Sequence, residues 1–167
     1  MLTLDQAAQI ASMTLQVGKQ RQYAPLCVAV MDPGTHLLAL LRDENAAVGR
    51  PQIAMSKAAG CLAMGFGGRE LARRAQQVPH FYQAMASILP LGLIAVPGSV
   101  IIRNTAGRLL GAVGVSGDTS ENDEVCAVAG ISGVAYCSNS QLHSRSRPLV
   151  EVQQSPKSRP TDDLGGR

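Results

Sequence analysis

The sequence predicts an α+β domain in which a small antiparallel sheet is packed with helices. Three observations lead there. Of 167 residues, 46% are hydrophobic and 16% charged, so a packed core is expected in a chain of one-domain length. Short apolar runs come in pairs joined by Asp/Pro/Gly or Asn/Gly turns, as antiparallel hairpins do. Helical spacing fills the stretches before, between and after those pairs. With two Phe, three Tyr and no Trp, the core has to come from Ala, Val, Leu and Ile, and 17 Gly permit close backbone approach.

Each element has its own signal. Thr3-Leu4-Asp5-Gln6 is a capping-box pattern, and Leu4, Ala8, Ala11 and Leu15 mark the apolar face of a helix ending near Gln20 to Tyr23. Cys27 to Met31 is a strand, Asp32-Pro33-Gly34-Thr35 a turn, and His36 to Arg42 the returning strand. Pro51 suits the first turn of a helix that runs to Met64 and is interrupted at Gly65-Phe66-Gly67-Gly68. Two short helices follow, Arg69 to Gln77 and Pro79 to Ile88. Ser99 to Arg103 and Arg108 to Ser116 form a second hairpin about Asn104-Thr105-Ala106-Gly107. Asp123 to Cys137 is the last helix, with acids in its first turn. Hydrophobic periodicity stops at Ser138, which divides the chain into a domain over 1–139 and a loosely attached polar tail over 140–167.

The charge balance excludes several classes of partner. Residues 1–140 carry ten Lys/Arg and nine Asp/Glu, and residues 141–167 carry five and three; the two balances, +1 and +2, give the net +3. A near-neutral domain with few aromatics offers neither a phosphate footprint nor a stacking platform, so no nucleic acid is expected. No membrane is expected either: the longest apolar stretch, Ile88 to Ile102, is cut by Pro90, Gly92, Pro97 and Gly98. Met1 to Asp5 has no basic start or apolar h-region, so a cytoplasmic location is expected. Cys27, Cys61, Cys126 and Cys137 form no C-x-x-C pair and read as four buried thiols.

Few residues offer chemistry. His36, His80 and His143 are scattered, without zinc-ligand spacing. His36, at a strand start after a turn, is either a partly exposed strand-end imidazole or an axial metal ligand or general base at a pocket mouth. Arg42 and Lys57 are cations in apolar stretches. A buried Lys57 needs a carboxylate, with Asp32, Asp43 or Glu124 as candidates, or an anionic ligand. Gly111 to Gly117 lacks the P-loop ending, yet its small residues before a helix N-terminus suit a backbone anion site.

Together these segments resemble the GlcG/HbpS family, the haem-degrading-domain or DUF336 group. The resemblance lies in Val30 to Asp43, in Ile53-Ala54-Met55-Ser56-Lys57-Ala58-Ala59, in Gly107 to Gly117 and in Asn122-Asp123-Glu124, collinear over roughly residues 2–137. It implies a profilin-like α+β subunit, assembly from dimers to octamers, and in some members binding of haem or a related tetrapyrrole. Two segments depart from the family pattern. Ile94-Ala95-Val96-Pro97 replaces a Gly-Gly-x-Pro loop, and Gly65-Phe66-Gly67-Gly68-Arg69 replaces a helix continuation.

Two functions follow as expectations. In the first, the chain binds haem or a similar small molecule, with His36 as iron ligand and Arg42 and Lys57 as anion partners. In the second, it is a lyase, hydratase or isomerase for an oxo- or hydroxy-acid. Arg42 and Lys57 then hold the carboxylate, the backbone of Gly114, Val115, Ser116 and Gly117 stabilises developing charge, and His36, Asp123 or Glu124 moves the proton. Both place His36, Arg42 and Lys57 in one recess with Gly114 to Gly117.

Overall fold

The computed structural model of the chain describes residues 2–140 and Glu151–Val152. It contains α1 (Leu4–Gln20), β1 (Cys27–Met31), β2 (Leu37–Arg42), α2 (Arg50–Met64), α3 (Gly68–Gln77), α4 (Pro79–Ile88), β3 (Ser99–Arg103), β4 (Leu109–Ser116), α5 (Ser120–Ser140) and β5 (Glu151–Val152). The sheet runs β2-β1-β4-β3-β5, and every pairing is antiparallel. The expected α+β architecture is therefore present, with both hairpins in place.

Helices cover the sheet on both faces. Val28 and Val30 of β1 and Val113 and Val115 of β4 turn toward α1 and α5, where Ile10, Ala11, Ala127 and Ile131 meet them. The alternate residues, Met31 and Ala112, turn toward α2 and α3 with Ala58, Cys61 and Leu71. Central strands buried on both faces must be apolar throughout, and all five residues of β1 are buried.

Local chemistry sets the element ends. The capping box at α1 forms as expected, with Thr3 Oγ1 accepting from the Gln6 amide and Gln6 Oε1 from the Thr3 amide. The buried face of α1 is only partly the one expected: Ala11 is buried and Leu15 packs against the core, but Leu4 and Ala8 do neither. Ala7, Ile10, Ala11, Thr14 and Gly18 are buried, whereas Leu4 is 64% exposed and Ala8 lies in solvent. The reason lies in α5: at the α1–α5 crossing Gly130 lies against Thr14, and Gly18 lies beside Cys126, so the small residues of α1 face inward.

Other boundaries shift. His36 lies just outside β2, and α5 begins at Ser120, earlier than expected. The expected polar tail lies mostly outside the described residues, and within it Glu151–Val152 pair with β3 at Arg103 and Ile102. Cys27, Cys61 and Cys126 are buried free thiols; the side chain of Cys137 lies outside the described residues. Burial pushes the Cys61 thiol up to about 12 and Cys126 up to about 11, so both stay protonated at neutral pH.

Candidate functional site

The two hairpin turns lie at one end of the sheet, and the α2 and α5 N-termini with the close of β4 lie at the other. The register fixes this: Met31, beside the first turn, pairs with Ala112, while Cys27 pairs with both Arg42 and Ser116.

At the closing end of β4, α2 carries Lys57 inward on the face that packs against Gly114. A Cβ on Gly114 would strike the Ala54 carbonyl and come within 2.8 Å of the Ala58 nitrogen, so glycine lets α2 settle onto the strand. Lys57 is buried, and its Nζ donates to the Val115 carbonyl at 2.9 Å and to Asp123 Oδ2 at 2.9 Å. Asp123 is also buried, and its Oδ1 accepts the Asp118 amide at 3.1 Å. Burial raises the Asp123 carboxyl above the usual carboxylate range, against the opposing pull of Lys57. Gly98, at φ +108°, closes over the pair. A Cβ there would lie 2.7 Å from Lys57 Nζ and 2.9 Å from Asp123 Cβ. The loop without the expected glycine pair thus supplies one glycine of its own.

The ion pair expected for Lys57 exists, but its partner is none of the three foreseen. Each of those has another partner: Asp32 engages the His36 imidazole, Asp43 pairs with Lys19 and Glu124 with Arg69. Glu124 sits at the rim, joining α5 to α3, and Asp123 takes the interior. With its charge matched by Asp123 and its donors directed inward, Lys57 is not presented to a solvent-borne anion.

Arg42 occupies the same row as Cys27 and Ser116, on the face toward α2. It donates to the Ala46 and Glu44 carbonyls. Arg50, the first residue of α2 and not among the expected site residues, donates from Nη1 to Ser116 Oγ at 3.2 Å. Its Gly-Arg-Pro setting signals a helix N-terminus, but nothing local tells that the guanidinium reaches 66 residues along the chain.

His36 lies at the opposite end. Four residues along a strand and two strand spacings across separate its row from Val115, roughly 13 Å along the strands and about 10 Å across them. The single recess expected for His36, Arg42 and Lys57 is therefore not formed within one chain. His36 is instead held by its own turn. Asp32 Oδ1 accepts the Gly34 and His36 amides at 2.8 and 2.9 Å, and Asp32 Oδ2 lies 3.2 Å from His36 Nδ1. Those contacts, the His36 amide foremost, hold the Asp32 carboxyl below its usual range. An ionised Asp32 engages Nδ1 and leaves Nε2 facing away from it, on a side chain 81% exposed. Arg103, the last residue of β3, and Arg108, just before β4, lie at this end of the sheet, and Arg103 donates to the Gly107 carbonyl at 3.1 Å.

Among the described residues no cluster of three His, Cys, Asp or Glu is placed to hold a metal ion, and no helix is long and apolar enough to cross a membrane. As a lone donor, His36 suits an iron already held by a macrocycle, which needs one axial ligand from the protein. His80, exposed on α4, lacks a comparable carboxylate among the described residues.

Comparisons with known proteins agree with this architecture. An uncharacterized 15.0 kDa protein of Citrobacter freundii, from the dhaT-dhaS intergenic region, is 28% identical over 134 residues, which are 74% of this chain and 93% of that one. The crystal structure of HbpS is 25% identical with a TM-score of 0.69, over 79% of this chain and 89% of that one. The crystal structure of a PduOC–haem complex shares the fold, with a TM-score of 0.70 at 24% identity, over 78% of this chain and 93% of that one. The family described as haem degrading protein HbpS-like matches residues 2–132, and the chain belongs to it.

Proposed function

We propose that the chain binds haem or a related tetrapyrrole, with His36 as the axial ligand. The observation that carries this reading is the Asp32–His36 turn. It presents an imidazole at the surface with Nδ1 engaged by Asp32, so that the ring is oriented with Nε2 directed away from the carboxylate. Exposed Leu37 supplies apolar surface beside it, and Arg103 and Arg108 lie at the same end of the sheet. Bound haem would bring iron-centred redox and ligand chemistry; the chain's part is to hold the imidazole orientation through Asp32. The HbpS-like kinship supports the ligand class. Titration of the purified protein with haem at micromolar concentration should shift the Soret band. His36→Ala should abolish that shift and His80→Ala should leave it intact. An unshifted wild-type spectrum, or a shift that survives His36→Ala, overturns the assignment.

A second reading draws on the other end of the sheet. Arg42, Arg50 and Ser116 gather beside the α2 N-terminus, a setting that favours a small carboxylate. In that reading the chain is a lyase, hydratase or isomerase for an oxo- or hydroxy-acid, with Arg50 joining Arg42 on the carboxylate while Lys57 and Asp123 brace the strand. Calorimetric titration with pyruvate or glycolate tests it: binding lost in Arg50→Ala supports the site, and no heat from the wild type removes it.

A further inference from the structure

We infer that Gly34 is a positioning residue for His36: having no side chain, it gives the imidazole a seat against Asp32 that a larger residue would close. The consequence for ligand binding rests on the haem reading, whereas the seat itself does not. In the turn before β2 the Thr35 amide donates to the Asp32 carbonyl at 3.0 Å, and the Asp32 amide to the His36 carbonyl at 3.0 Å. Hairpin turns that end on a left-handed residue normally place glycine there. Here the left-handed residue is Thr35, at φ +67°, and Gly34 just before it is outside that region. The glycine therefore stands one position away from where the backbone would use it.

The neighbouring side chains account for it instead. A Cβ on Gly34 would lie 3.0 Å from both Nδ1 and Cε1 of His36 and 3.3 Å from Asp32 Oδ1. The first two are closer than ordinary van der Waals contact. All three atoms belong to side chains and Gly34 is exposed, so alanine would leave the backbone in place and displace the ring. Asp32 cannot follow, because its Oδ1 accepts the Gly34 and His36 amides at 2.8 and 2.9 Å. The ring gives way, the 3.2 Å contact between Nδ1 and Asp32 Oδ2 opens, and Nε2, bonded to Cε1, moves with it.

Thr35 supplies the control within the same turn. Glycine at position 35 relieves a left-handed backbone and adds nothing near the ring, so His36 stays seated. Alanine at position 34 meets no backbone strain and restricts the unfolded chain, so the fold is not weakened while the imidazole moves. A glycine needed only by the backbone would behave the other way, with Gly34→Ala unfolding the turn.

Nuclear magnetic resonance of the full chain without haem tests the seat directly. The wild type should show a nuclear Overhauser contact between the Gly34 α-protons and the His36 ring proton on Cε1. Gly34→Ala should shift the His36 ring resonances without lowering the melting midpoint, and Thr35→Gly should keep the contact. Haem titration at the Soret band tests the consequence. Gly34→Ala should bind about 10- to 100-fold more weakly, as loss of an orienting partner does, and Thr35→Gly should stay within about twofold of wild type. A missing contact in the wild type overturns the inference, as do unmoved ring resonances or wild-type haem affinity in Gly34→Ala. Equal weakening by Thr35→Gly also overturns it, by making the turn's backbone the cause. A wild type that binds no haem removes the haem reading alone, and the resonance measurements then decide the seat.

Discussion

Lys57 shows how far a single residue can be read. Its helical position among apolar neighbours predicts a buried cation in need of a carboxylate, and that is its fate. The partner was not legible, because Asp123 and Glu124 are adjacent in sequence and only the seating of α5 decides which one turns inward. Removing one member of a buried pair leaves an uncompensated charge, so Lys57→Met should cost about 3–5 kcal/mol in denaturant unfolding. The double variant Lys57→Met, Asp123→Asn should recover much of that loss, since neither residue then carries charge into the interior. Gly98→Ala should cost about 1–3 kcal/mol, because alanine at that positive φ is strained and its Cβ meets the pair. Circular-dichroism melts of all three variants check these figures. The pairing of Asp32 with His36 was nearer to hand: an Asp-Pro-Gly-Thr-His turn sets the two side chains four residues apart, and that spacing was the missed signal.

At the scale of elements, signals that act within a few residues were readable and those set by tertiary packing were not. Both hairpins follow from alternating apolar runs and turn residues, and α1 starts where its capping box says. Of the buried face of α1, Ala11 and Leu15 were legible but Ile10, Thr14 and Gly18 were not, because contact with Gly130 on a helix far along the chain sets the rotation. The α5 N-terminus is another tertiary construction. Asp118 accepts the Ala24 amide at 2.6 Å and the Thr119 amide at 2.8 Å, tying the α1–β1 connection to α5. Those contacts, the Ala24 amide foremost, lower the Asp118 carboxyl; amides likewise lower Asp32 and Asp43, and paired arginines bring Glu70 to about 2. Each lowered carboxyl contributes stability that is complete above its unfolded value and disappears as pH falls through its folded one. Asp123 runs the opposite way, since a raised carboxyl favours the folded state on protonation. Among the described residues, these four lowered carboxyls against one raised predict a denaturation midpoint that declines as pH drops below roughly 4. Asp118→Asn should make that decline shallower while lowering the midpoint at neutral pH; an unchanged pH profile would remove Asp118 from the account.

At the scale of the molecule, the sheet separates two kinds of polar chemistry. One end holds charges that satisfy each other in the interior: Lys57 with Asp123, closed by Gly98. The other end holds an imidazole braced on one nitrogen and open on the second. The amino-acid order marks both sets of residues but not their separation, which arises because β1 runs antiparallel to β2 and β4 alike. This division bears directly on function, since a ligand at one end need not sense substitutions at the other. The most direct measurement is a pair of haem titrations on His36→Ala and Arg50→Ala, followed at the Soret band. The account predicts loss of binding in the first and wild-type affinity, within about twofold, in the second. Retained binding in His36→Ala together with loss in Arg50→Ala would contradict it and move the site to the α2 N-terminus.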